Sequence, residues 1–133
     1  MTVRILQGDC RDVLKTLPDE SVNCIVTSPP YWGLRDYGMP GQIGLDSSVE
    51  EYIAELVAVF HEAKRVLQYH GTFWLNLGDC YNSIGHKKSN SGYGSTGLAG
   101  GKAQEATPLR KENTDRALKH KDLCMIPARV ALA

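Results

Sequence analysis

The sequence contains no apolar run approaching the ~20 residues that cross a bilayer, and no secretory leader pattern follows Met1. A membrane span and an export signal are thereby excluded from the reading, and a cytoplasmic setting is expected. Net charge is absent as well, with 15 Lys/Arg balanced by 15 Asp/Glu, so bulk charge makes no case for a nucleic-acid partner. The four cysteines, Cys10, Cys24, Cys80 and Cys124, form no Cys-x-x-Cys pair. His61, His70, His86 and His120 complete no zinc spacing either. Reduced structural cysteines and no metal site are expected.

A chain of 133 residues suits one modest domain with a real core. Its charge is unevenly placed. Residues 1–81 hold 6 Lys/Arg against 11 Asp/Glu, a net of −5, whereas residues 82–121 hold 8 against 3, a net of +5. Val3 to Leu6 reads as a short strand, Gly8-Asp9-Cys10 as a turn, and Arg11 to Leu17 as a helix with Val13, Leu14 and Leu17 on one side. Asp9 is placed to cap that helix. Val22 to Val26 reads as a second strand, and strand–helix–strand order points to a parallel α/β sheet.

Beyond a glycine-rich loop over 33–46, placed to fold over the preceding turn as a flap, Ser47 and Ser48 open a long helix, with Glu50 and Glu51 set for a capping box. Ile53, Leu56, Val57, Phe60, Ala63 and Leu67 form its apolar stripe. Tyr69-His70-Gly71 reads as its end, with glycine in the left-handed position. Thr72 to Leu77 is then a third strand, and Gly78-Asp79-Cys80-Tyr81 its terminal turn. Residues 82–121 read as a flexible, basic Gly/Ser/Lys-rich loop. Residues 122–133 begin a further helix, with Pro127 in its first turn.

Everything is organised around Thr27-Ser28-Pro29-Pro30-Tyr31-Trp32. Neither proline can donate to a sheet, and both fix φ, so the turn after the second strand is stiff and its carbonyls are free to accept. Taken alone, Tyr31 and Trp32 can simply cover the core. The full string after an apolar strand resembles the catalytic motif of the amino-group DNA methyltransferases, and Ser-Pro-Pro-Tyr is most similar to the N4-cytosine branch.

That resemblance implies a partial Rossmann-like methyltransferase fold, a mostly parallel sheet flanked by helices. It also implies S-adenosyl-L-methionine as cofactor and double-stranded DNA as partner, in a restriction–modification or phage setting. Ser28, Pro29, Pro30 and Tyr31 would be catalytic, with the Ser28 hydroxyl and the Pro29 carbonyl accepting from the exocyclic amine of a flipped base. Tyr31 and Trp32 would contact that base. The segment around Asp79 and Tyr81 would support the base pocket, and Asp9 with Cys10 would meet the adenosine of the cofactor. Lys87 and Lys88 would lie on the DNA backbone. The Asp-Pro-Phe-x-Gly-x-Gly type string that holds the cofactor in this motif order is absent. The chain is therefore expected to be an amino-terminal part, its cofactor site completed by a missing carboxyl-terminal part or a second copy. An N6-adenine enzyme and a non-catalytic nucleic-acid-binding remnant stay open as alternatives.

Overall fold

A computed structural model describes residues 2–83 and 115–133 of the chain. A short helix α1 (Cys10–Val13) runs into a 3₁₀ turn (Leu14–Thr16). Strand β1 (Val22–Thr27), helix α2 (Val49–Val66), strand β2 (Leu67–Leu75) and helix α3 (Ile126–Leu132) follow in that order. β1 and β2 pair in parallel, from Val22 against Leu67 to Thr27 against Leu75. A parallel pair needs a long crossover, and α2 supplies it.

Parallel partners share a face of the sheet. Ile25 and Phe73 form one such pair, and Phe73 meets Phe60 of α2 edge-on with ring centroids 5.2 Å apart. On the opposite face lie Cys24, Val26, Thr72 and Trp74, with Val26 77% and Trp74 64% exposed. The core sits elsewhere. Trp32, Ile43, Val49, Tyr52, Ile53, Leu56, Cys124 and Ile126 join the loop after β1, the first half of α2 and the start of α3.

Three expectations are corrected. Val3 to Leu6 is not a strand, and Val3 and Ile5 lie open to solvent. A strand draws its stability from ladder bonds to a neighbour, and none of the described residues pairs with this segment. The helix expected over Arg11 to Leu17 is instead one α-turn followed by a 3₁₀ turn. The long helix does not end on a left-handed glycine. α2 stops at Val66, Leu67 turns directly to extended backbone, and β2 begins there. Gly71 lies inside β2, at an irregularity in the register. A Cβ on it would fall 2.6 Å from Leu67 Cδ1, so close approach and not handedness demands glycine.

The capping box forms in altered shape, closing on Ser47 and not on the N-cap Ser48. Ser48 Oγ accepts from Glu51 N–H at 3.2 Å, while Glu51 reaches back to the Ser47 N–H and hydroxyl. Glu50 pairs with Arg129 of α3 at 2.6 Å. The buried stripe of α2 is Val49, Tyr52, Ile53, Leu56, Ala63 and Val66, so it takes in a tyrosine that the hydrophobic pattern passes over.

Asn82 and Asp115 close the far side. Asn82 Nδ2 donates to the carbonyls of Asp115, Leu118 and Lys119, and its Oδ1 accepts from Asp115 N–H at 2.7 Å. The Asp115 carboxylate in turn accepts from Val49 N–H at the first turn of α2. Burial opposes that charge, but the N–H groups of Val49 and Ala117 outweigh it and hold the carboxyl below its ordinary range. Among the described residues no helix is long and apolar enough to cross a membrane.

Candidate active site

The site begins where the sheet stops. Thr27 closes β1, and its carbonyl accepts from Asn76 N–H at 2.9 Å. Ser28, Pro29 and Pro30 then leave the ladder, because the two prolines have no N–H to offer. The Pro30 carbonyl is taken: the Tyr52 hydroxyl donates to it at 2.8 Å from inside the core. Burial pushes the Tyr52 phenol above its usual range, so it stays protonated and keeps donating. Leu34 N–H closes a turn onto the Tyr31 carbonyl at 3.2 Å, and Gly33 N–H reaches Gly44 at 2.7 Å.

With Pro30 occupied, the Ser28 hydroxyl and the Pro29 carbonyl have no hydrogen-bond partner among the described residues. Both line a cleft of about 280 Å³ with Pro30, Tyr31, Leu34, Arg35 and Tyr37. No carboxylate or histidine lines it. A group bound there meets neutral oxygen acceptors, two tyrosines and one guanidinium, which suits a planar N–H donor attached to an anionic backbone.

Tyr31 is set from two sides. Its hydroxyl lies 3.5 Å from Asn76 Oδ1, and its ring covers Gly78, where a Cβ would come within 2.9 Å of Cε2. Trp32, expected beside Tyr31 as a base contact, goes to the core instead. It is 3% exposed, and its indole N–H donates to the Asp46 carbonyl at 3.1 Å. The physical reason is area: an indole buried among Val49, Tyr52 and Leu56 removes more apolar surface from water than one at a cleft rim.

Ser28, Pro29 and Pro30 also border a second, more apolar cavity of about 540 Å³, walled by Cys10, Leu14, Ile25, Leu56 and Phe60 among others. Cys10 is thereby brought next to the motif. Partial burial and the charge of Asp9 push its thiol up, so it is no ready nucleophile. Asp9 caps α1 through Arg11 N–H at 2.8 Å and binds the Arg11 guanidinium at 2.6 Å, and Arg11 reaches on to the Gly41 carbonyl at 2.8 Å.

The Arg11 contacts hold the Asp9 carboxyl down, from 3.8 to about 2. A depressed carboxyl stabilises the fold above its unfolded value and loses that contribution as pH falls through the folded one. An NMR titration of Asp9 should therefore inflect near 2 and move up towards 3.8 in Arg11→Ala. An unchanged inflection in that variant would remove Arg11 as the cause.

Asp79 and Tyr81 stand apart from the cleft lining. Asp79 Oδ1 accepts from Ile126 N–H at 3.1 Å, at the start of α3, and Tyr81 is exposed and bridged to Leu123. Lys87 and Lys88 lie outside the described residues. Arg35, Tyr37 and Tyr52 are site residues that the sequence reading does not single out. Tyr52 carries a signal, since it lies one turn before Leu56 on the buried stripe; Arg35 and Tyr37 carry none beyond closeness to the motif.

Comparison with known proteins places the chain in a family. A family model described as DNA methylase, covering N6- and N4-acting enzymes, matches residues 22–124. The chain is 48% identical over 130 residues to the type II methyltransferase M.Cfr9I of Citrobacter freundii, covering 97% of this chain and 40% of that protein. It is 42% identical to M.SmaI of Serratia marcescens, covering 98% and 42%. A solved structure of a protein assigned as a DNA modification methylase from Thermus thermophilus, complexed with S-adenosyl-L-methionine, is 38% identical with a TM-score of 0.44. It covers 57% of this chain and 30% of that one. The chain thus spans about two fifths of the length of the curated relatives it matches. A model match over most of the chain, taking in Ser28-Pro29-Pro30-Tyr31, makes it a member of the N6/N4 DNA methylase family.

Proposed function

We propose that this chain carries the target-base half of a DNA methyltransferase that modifies the exocyclic amine of a flipped base, N4 of cytosine, in a type II restriction–modification setting. One observation carries the reading. Among the described residues the Ser28 hydroxyl and the Pro29 carbonyl line the cleft without a hydrogen-bond partner, while the Pro30 carbonyl is taken by Tyr52.

An exocyclic amine is a poor nucleophile, since its lone pair is delocalised into the ring. Two acceptors on its N–H groups draw that pair back onto nitrogen. Ser28 and Pro29 are suited to this, and the prolyl carbonyl is already aimed. Tyr31 supports the ring of a base removed from the stack at a cost of about a few kcal/mol. No covalent adduct to the base is needed, and the sequence has no Pro-Cys nucleophile of the kind that attacks C5.

The residues present fit S-adenosyl-L-methionine in part. The 540 Å³ cavity is apolar and suits an adenine, with Cys10 in its wall and Asp9 beside it. Its lining offers no charged partner for the amino-acid end. When bound, the cofactor supplies an electrophilic methyl group. Ser28 and Pro29 would hold the amine facing it, and positioning would provide most of the rate.

The alternative is a non-catalytic nucleic-acid-binding remnant of the same fold. Incubation of the chain, joined to the carboxyl-terminal part expected to complete its cofactor site, with DNA and labelled S-adenosyl-L-methionine, followed by nucleoside chromatography, separates the cases. N4-methylcytosine is expected, and Ser28→Ala and Tyr31→Ala should each lower its formation by about 100-fold. N6-methyladenine would change the target base. DNA binding with no methyl transfer would favour the remnant, and full turnover in both variants would sink the mechanism.

A further inference from the structure

Arg35 lines the 280 Å³ cleft together with Ser28, Pro29 and Tyr31, and its guanidinium has no hydrogen-bond or ion-pair partner among the described residues. That separates it from the other arginines near the core. Arg11 is paired with Asp9 and Glu55, Arg65 with Asp19 and Glu62, and Arg129 with Glu50. The neighbouring Asp36 makes no ion pair with it among the described residues; its carboxylate accepts from Gly38 N–H at 2.7 Å.

The loop that presents Arg35 is closed from within by one side chain. Gln42 Nε2 donates to the Arg35 carbonyl at 2.9 Å, and Gln42 Oε1 accepts from Tyr37 N–H at 2.7 Å. Both faces of the amide are used, so the backbone on either side of Asp36 is fixed. Arg11 holds the same loop at Gly41. A lone guanidinium on a braced loop, at the rim of a cleft whose floor offers acceptors, is set to receive an anion attached to whatever donor enters the cleft.

We propose that Arg35 binds a backbone phosphate of the target nucleotide while its base lies against Tyr31, and that Gln42 is the positioning residue that holds Arg35 there. The inference rests on the base-binding reading of the cleft. A guanidinium fork matches phosphate geometry, and one phosphate contact releases counterions in proportion.

The test is binding of the 133-residue chain, by fluorescence anisotropy over a series of salt concentrations, to a duplex with one mismatched cytosine and to its matched counterpart. Arg35→Gln is expected to weaken binding to both duplexes by about ten-fold and to reduce the slope of log K against log salt by about 0.9. Arg35→Lys should restore the slope, because it keeps the charge, but not the full affinity. Gln42→Ala should weaken binding with the guanidinium intact.

An Arg35→Gln slope equal to wild type overturns the assignment. Tyr31→Ala tests the underlying reading separately: it should abolish the preference for the mismatched duplex. If it does not, the base-binding reading fails whatever Arg35 does. If Tyr31→Ala behaves as expected and Arg35→Gln does not, only the phosphate assignment fails. Absence of any DNA binding by the wild-type chain overturns both.

Discussion

Asn82→Ala is expected to lower the unfolding free energy by about 3 kcal/mol, because it strands several buried polar groups at once. Asn82 is 1% exposed and uses its whole amide, with Nδ2 serving three carbonyls and Oδ1 serving Asp115 N–H. Each buried group left without a partner costs about 1–3 kcal/mol, and part of that is recovered where water reaches Leu118 and Lys119. The loss should spread, since Asp115 also satisfies Val49 N–H at the start of α2. Urea unfolding gives the measurement, with an unchanged m-value showing that stability alone has moved. Asn82→Asp supplies a control of opposite chemistry. It sets a carboxylate against three carbonyl oxygens, so it should be worse than alanine at neutral pH and should improve as acid protonates it. A loss below about 0.5 kcal/mol in Asn82→Ala, the range of ordinary surface changes, would show that this node is not a structural one.

Tyr52→Ala is expected to be the other severe change, at about 4 kcal/mol, in the range of buried aromatic truncations. Tyr52 is fully buried between Trp32, Val49 and Leu56, where little can move in to fill the space. Tyr52→Phe separates the ring from the hydroxyl. It keeps the packing, leaves the Pro30 carbonyl without its donor at 2.8 Å, and should cost about 1 kcal/mol. Its larger consequence lies at the site, where the Pro30 peptide loses the bond that fixes it and the neighbouring Pro29 carbonyl loses its aim. If methyl transfer is measured, Tyr52→Phe should lower kcat with stability largely kept. Equal kcat would mean that the Pro30 lock is structural only.

The motif was legible because proline chemistry is local: two missing N–H groups and two fixed φ angles act whatever surrounds them. The long helix was legible from Ser48, Glu51 and its apolar spacing. Its far end was not. Gly71 had the composition of a helix cap, but packing against Leu67 and the pairing of β2 with β1, distant in sequence, outweighed that local signal. Val3 to Leu6 failed for the converse reason, since a strand pattern does not say whether a partner is present. Trp32 and Tyr52 were hidden because an aromatic at a motif or on a helix has the same letter whether it serves the core or a ligand. The Gln42 brace and the Asn82 node join residues distant in sequence, or depend on loop geometry that spacing does not encode.

The direct passage from α2 into β2 has a mechanical consequence. α2 passes into β2 at Val66 and Leu67 with no connecting loop, so helix and strand form one continuous piece of chain. One end grips the motif through Tyr52 at Pro30, and the other through Asn76 at Thr27 and Tyr31. The Ser28–Tyr31 turn is therefore held from both sides by the same piece of the molecule. Adjustment to a guest is left to the side chains of Arg35 and Tyr37, on a loop whose backbone Gln42 braces.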